Sequence, residues 1–220
     1  MKFLVSFLLI FPFLVSANEY PAEWFAEVPR ELAQSWEILP QDAAPGEVIL
    51  SKRTELGIFS NFGATPFVLD GNAYASVEGF WQALKYPDPE IPGDERHNYS
   101  EWPYSRSEVS QMVGFEAKDA GTLANAIYKK LGLSNINWGN HFFNYVDHAA
   151  GSEFHYVLVK RAIKAKLNQN SGLWDLLIRT GCLELKSDHH MNETDPASFY
   201  YHKILMELRS EKSFIPCKKK

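Results

Sequence analysis

Cysteine is scarce. Only Cys182 and Cys217 occur in 220 residues, and nothing around Cys182 supplies the paired base that a thiol nucleophile needs. In an oxidising compartment the two can pair, closing a loop of moderate length worth roughly 2–4 kcal/mol. Their spacing leaves the unpaired alternative open. Positive charge is not in excess either: 22 Lys and Arg face 27 Asp and Glu, for a net charge of −5. A balance of that sign gives no general attraction to nucleic acid or to an anionic membrane. There is no internal repeat and no low-complexity block, and the His and Asp residues show no recognised metal-ligand spacing. Neither a metal nor another cofactor is expected.

What is present begins with Lys2, an apolar run from Phe3 to Val15, and small residues up to Ala17. A short charged n-region, a brief apolar h-region and a small-residue cleavage site read as a signal peptide over residues 1–17. A membrane anchor is the rival reading. Pro12 and the immediate return to Glu19, Glu23 and Glu27 favour cleavage instead. The expectation is an exported, periplasmic or secreted chain with no stable membrane association after cleavage. An apolar content of 45% with 14% aromatics in about 200 remaining residues suits one packed domain. The expected layout is an N-terminal arm over 18–45, the domain over 46–212 and a basic tail over 213–220. The sequons at Asn98 and Asn192 matter only in a host that glycosylates secreted proteins.

Local signals predict α+β architecture with more helix than strand around a small sheet. Glu47 to Arg53 reads as a first strand, and Asp70-Gly71 between short apolar arms reads as a hairpin turn. Ser76 caps a helix running to about Tyr86, followed by a Pro-rich aromatic loop over 87–106. Helical patterns follow over 107–112 and 116–131, then an irregular aromatic stretch containing His141 and His148. After it, Phe154, Val157, Leu158, Arg161, Ala162 and Ala165 mark an amphipathic helix with His155 in its first turn. A further helix ends at Gly181, "LELK" is a short strand, and a last helix starts near Pro196 with Phe199, Ile204, Leu205 and Leu208 on its buried side.

The stretch "SVEGFWQALKYP" carries the chemistry. On a helical wheel Glu78, Gln82 and Lys85 share one face, Phe80, Ala83 and Leu84 oppose it, and Trp81 flanks the polar stripe. Glu78 falls in the first turn, where the helix dipole favours an ionised carboxylate. Such a group stabilises developing positive charge or orients water. Periodicity alone also fits a solvated edge.

The stretch "GIFSNFGATPFVLDGNAYASVEGFWQALKY" resembles the first signature of the NADAR family: an F-S-N-F segment (Phe59 to Phe62), a D-G hairpin (Asp70-Gly71), and Ser76-Val77-Glu78 followed by Gln82, Ala83 and Lys85. "VKRAIKAKLNQN" with "LLIRTG" and "ILMELR" resemble its later helical patterns. The resemblance spans about 53–209 and is specific only in its first block. It implies an α+β fold and hydrolysis of an N-glycosidic bond in a ribosylated or ADP-ribosylated compound, NAD-related or a ribosylamino-heterocycle. It further implies Glu78 as catalytic carboxylate, with Asn61 and Lys85 on ribose or phosphate oxygens and Phe59, Phe62 and Trp81 as walls. Arg53, Ser60 and Gln82 are further expected substrate contacts.

The chain departs from the family pattern. Gly79 stands where the family has His, Leu84 where it often has Gln, and the C-terminal third lacks the W-G and glycine-rich segment. "SDHH" after the short strand offers a replacement, with Asp188 as a second catalytic group and His189 as a further contact. The expected partner is a small nucleotide-like molecule. The alternative function is a catalytically decayed nucleotide-binding module, or a secreted effector or immunity-type interaction protein.

Overall fold

The structure is a computed structural model that describes residues 20–145 and 152–213. The expected signal segment, His148, Cys217 and with it the question of its pairing to Cys182, and residues 214–220 lie outside the described residues.

Six α-helices and three two-stranded sheets make up the described chain. The strands are β1 (Glu47–Ile49), β2 (Phe67–Leu69), β3 (Asn72–Tyr74), β4 (Ile136–Trp138), β5 (His141–Phe143) and β6 (Glu184–Lys186). The helices are α1 (Val77–Ala83), α2 (Arg106–Ser110), α3 (Gly114–Leu131), α4 (Ser152–Gln169), α5 (Leu173–Arg179) and α6 (Tyr201–Lys212). The helix-rich α+β class is as expected. The strand residues form three separate pairs where one small sheet was expected.

β1 lies parallel to β6, with Val48 opposite Leu185, and this pairing joins the two ends of the domain. β2 and β3 form the hairpin read from Asp70-Gly71: φ is 49° at Asp70 and 86° at Gly71, the positive values that a tight two-residue hairpin turn requires. The stretch expected to be irregular holds a second hairpin. β4 and β5 pair across Gly139-Asn140, with φ 54° at Gly139, so the Gly-Asn dipeptide was the missed turn signal.

α1 is capped by Ser76, whose Oγ accepts the Gly79 N–H at 2.8 Å. It ends at Ala83, short of Tyr86. The chain continues through one tighter turn, in which Lys85 N donates to Gln82 O at 3.1 Å and Tyr86 N to Ala83 O at 3.0 Å. α2 opens on a reciprocal cap: Ser105 N donates to the Glu108 carboxylate at 2.7 Å, and Glu108 N to Ser105 Oγ at 3.2 Å. α3 ends on Gly132 in the left-handed region. Its Ala117, Ala120 and Ala124 are small enough to bring it close against Ala83 of α1.

α4 buries a different stripe from the expected one. Val157 is 54% exposed and Arg161 pairs with Asp70, while Leu158, Val159, Ala162, Ile163 and Leu167 face the core. His155 and Lys166 complete the buried stripe, each 1% exposed. Because these two are polar, hydropathy alone turns the helix the wrong way. The last helix starts at Tyr201, after a short 3-10 turn over Ala197–Phe199 that follows Pro196. The arm belongs to the packed body: Trp24 is fully buried and Leu39 is 1% exposed.

Candidate active site

The F-S-N-F segment is fixed from two sides. Lys166 Nζ on α4 donates to the carbonyls of Ile58 (2.7 Å) and Ser60 (2.8 Å). Burial pushes its pKa down to about 7, while the two carbonyls favour the protonated donor. From α1, Glu78 N donates to Asn61 O at 2.9 Å. The loop and the first turn of α1 are thus one rigid unit. They form one wall of a cavity of about 550 Å³, a volume suited to a small-molecule ligand.

Glu78 lies in that cavity, 8% exposed. Gln82 Nε2 donates to its Oε1 at 2.7 Å. Burial pushes the Glu78 carboxyl above the ordinary range, against the Gln82 hydrogen bond and the charges of Lys85, Lys118 and His189. The first-turn position suggested a well-ionised group; desolvation outweighs that influence and brings the carboxyl nearer to neutral pH.

Lys85 is 4% exposed and lines the same cavity. Its ammonium stands 5.5 Å from the ring centroids of both Trp81 and Tyr145. It forms no ion pair or hydrogen bond among the described residues. Burial, partly offset by Glu78, draws its pKa down to about 8. A buried cation held, among the described residues, by ring faces alone suits an anionic or oxygen-rich ligand.

His155 joins the site from α4. Its ring stacks on Trp81 at 4.2 Å between centroids, and its Nδ1 lies 2.7 Å from Ser198 Oγ. Burial first, then the Lys85 charge, push its pKa down to about 3, so the imidazole is neutral at ordinary pH. Its Nε2 has no partner among the described residues, and neither do Asn61 Oδ1 or Gln82 Oε1. All three residues line the cavity. Buried polar atoms left unpaired in this way are satisfied by water or a ligand.

Of the expected site residues, Ser60, Asn61, Phe62, Glu78, Trp81, Gln82, Lys85 and His189 line the cavity. Arg53, Phe59 and Asp188 do not. Arg53 makes a bidentate pair with Glu37 (2.6 and 2.7 Å) and donates to Leu32 O at 2.6 Å, which anchors the arm. Phe59 is 2% exposed and belongs to the core. Asp188 is fully buried behind the wall, where it pairs with Lys52 Nζ and lies 3.0 Å from His189 Nδ1. Burial raises its carboxyl, but His189 and Lys52 outweigh that and hold it below the ordinary range. Both of its partners, Lys52 and His189, line the cavity.

Sequence reasoning missed Trp36, Lys52, Phe115, Lys118 and His155 as cavity residues. Trp36 and Lys52 precede the resembled block. His155 stood three residues from Leu158 and eleven from Lys166, a helical spacing that was its only signal. Among the described residues no group of three or more His, Cys, Asp or Glu is arranged to hold a metal ion, and no helix is long and apolar enough to cross a membrane.

No protein-family model matches the chain, and no curated protein sequence matches it. The chain is similar in structure to the E. coli protein YbiA. That NMR structure shares 19% sequence identity at a TM-score of 0.45, over 74% of this chain and 81% of that one. A likeness this loose assigns no chemistry, so the site is read from its own side chains.

Proposed function

We propose that the chain is an N-glycosidase that hydrolyses the C1–N bond of a ribosylated or ADP-ribosylated compound, with Glu78 as its catalytic carboxylate. The observation that carries this reading is the Glu78–Gln82 pair. A carboxylate is buried in a ligand-sized cavity, held by an amide at 2.7 Å, with the Lys85 ammonium lining the same cavity. Breaking a C1–N bond builds oxocarbenium character on the sugar, which a fixed carboxylate stabilises at the moment it forms. The same carboxylate takes a proton from the attacking water as the oxygen bonds to C1, while the C1–N electron pair leaves on nitrogen; that proton then passes to the departing nitrogen or, where the nitrogen left a cationic ring, to solvent.

The remaining groups have roles that suit this chemistry. Lys85 would hold a phosphate or hydroxyl oxygen. The unpaired Asn61 and Gln82 oxygens accept hydrogen bonds, as sugar hydroxyls can supply. The F-S-N-F and S-V-E…Q-A-x-K resemblance to the NADAR family supports the same reading from sequence.

The test is a mass-spectrometric screen of the purified domain against NAD, ADP-ribose, nucleosides and ribosylamino-pyrimidines. Release of free base by wild type, abolished in Glu78→Gln with binding retained, is the expected result. Binding without release in either protein would replace the enzyme with a nucleotide-binding module.

A further inference from the structure

The arm places an aromatic residue on the cavity mouth that no catalytic step uses. Trp36 sits in a turn in which Glu37 N donates to Gln34 O at 3.0 Å. This turn is strapped to the domain at three points. Arg53 grips the Glu37 carboxylate and Leu32 O, Ile38 N donates to Asp188 O at 2.8 Å, and Glu37 bridges to His189 in antiparallel fashion. Trp36 is therefore fixed in place although 37% of it is exposed.

Two further rings meet it there. Phe115, at the start of α3 and 52% exposed, lies 6.3 Å from Trp36 at 63° and 5.3 Å from Phe62 at 84°. The rings meet edge to face, so each contact covers a face of only one ring of the pair. Lys52 Nζ lies 5.1 Å from the Trp36 centroid and 5.5 Å from that of Phe62, and Lys118 Nζ lies 5.7 Å from Phe115. All five side chains line the cavity that holds Glu78. Large exposed aromatics gathered at one cavity mouth cost solvation unless a ligand covers them. Exposed rings with ammonium groups over them suit a planar heteroaromatic ring on an anionic linker, because stacking accepts any π-face and the lysines accept the charge.

We infer that Trp36, with Phe115 and Phe62, forms a base-stacking subsite at the mouth for a nucleotide's heteroaromatic ring, and that Lys52 and Lys118 receive the adjoining phosphate. Trp36 is a specificity residue in direct ligand contact. Arg53 is a positioning residue that acts through Glu37. The inference rests on reading the cavity as a site for nucleotide-like ligands, but not on cleavage.

The probes are adenosine 5′-monophosphate and ribose 5-phosphate, titrated calorimetrically into wild type, Trp36→Ala, Trp36→Phe and Arg53→Ala, with thermal unfolding as a check on folding. Wild type binds the nucleotide more tightly than the sugar phosphate. Trp36→Ala loses about tenfold for the nucleotide, from the value of one stacked base, and nothing for the sugar phosphate. Trp36→Phe restores most of the loss, and Arg53→Ala gives a smaller loss of the same selective kind. Equal affinity of wild type for both probes, binding of neither, or a Trp36→Ala loss equal for both would overturn the subsite. A protein that shows the selective pattern yet releases no base from any ribosylated compound keeps the subsite and loses the glycosidase reading.

Discussion

Gln82 holds Glu78 through a 2.7 Å hydrogen bond, and it has room to do so because residue 121 carries no side chain. A Cβ on Gly121 would lie 1.8 Å from Gln82 Oε1 and 2.2 Å from its Cδ. The obstructed atoms are the end of a flexible side chain, so Gly121→Ala moves Gln82 and leaves the helices in place. Ala even adds about 1 kcal/mol of helix propensity within α3. The expected outcome is an unchanged or higher thermal midpoint with catalytic efficiency lowered about tenfold, the scale of one lost hydrogen bond to a charged group. A Gly121→Ala protein with wild-type activity would show that the Gln82–Glu78 bond is incidental to turnover.

Two ionisable groups of the site, Glu78 and Lys85, are shifted toward each other: burial lifts Glu78 and lowers Lys85 to about 8. With Glu78 required as the anion and Lys85 as the cation, catalytic efficiency follows a bell. Its alkaline limb falls near pH 8 as Lys85 loses its proton. Its acid limb lies above the ordinary glutamate value as Glu78 gains one. Lys85→Met should remove the alkaline limb and move the acid limb further up, because the carboxylate loses a neighbouring cation. A pH–rate profile of the two proteins checks this, and an alkaline limb retained in Lys85→Met would assign it to another group.

The Glu78 and Gln82 stripe, carried on to Lys85 by the tighter turn after α1, was legible because a seven-residue helix with a serine cap leaves little freedom: the period sets the face and Ser76 sets the start. The Asp70-Gly71 turn was legible for a similar reason, since its backbone demands residues tolerant of positive φ. What could not be read was tertiary. Arg53 and Lys52 are adjacent cations in sequence, yet one anchors the arm to Glu37 and the other enters the cavity beside Asp188. Nothing local separates them. Lys166 and His155 were hidden for the opposite reason. They are polar residues on a buried stripe, stabilised by carbonyls of Ile58 and Ser60 and by Ser198, partners more than 40 residues distant.

The loop over 87–106 is held by a buried ion pair. Arg96, 1% exposed, donates to Asp94 through Nε (2.7 Å) and Nη2 (2.5 Å), to Leu84 O at 2.7 Å, and to Asn137 Oδ1 on β4. Burial raises the Asp94 carboxyl, but the Arg96 hydrogen bonds and charge outweigh it and hold it below the ordinary value. A folded pKa below the unfolded one means that stabilisation is complete above about pH 4 and is lost as pH falls through the folded value. Asp94→Asn leaves Arg96 buried without its counter-charge and should cost about 3–5 kcal/mol at neutral pH. It should also flatten the acid side of the stability curve. Urea unfolding between pH 3 and 7 tests both, and parallel curves for the two proteins would remove Asp94 from the acid response.

Gly79, where the resembled pattern has His, is set by packing. A Cβ there would lie 2.5 Å from Met112 O, 3.0 Å from Val109 O and 3.2 Å from Ser110 O, all backbone atoms at the end of α2. Two of those carbonyls are already fixed, since Ser76 Oγ donates to Met112 O at 2.9 Å and Ala75 N to Ser110 O at 3.0 Å. The position faces α2, and no side chain can be added without prising the two helices apart. Gly79→Ala gains about 1 kcal/mol of helix propensity and loses more to overpacking, for a net destabilisation of about 1–2 kcal/mol. Gly79→His should be worse on both stability and activity, because the displacement carries Glu78 with it. A thermal midpoint that rises in Gly79→Ala, or activity that rises in Gly79→His, would mean that the α1–α2 approach is looser than these distances state and that an imidazole can enter the site from position 79.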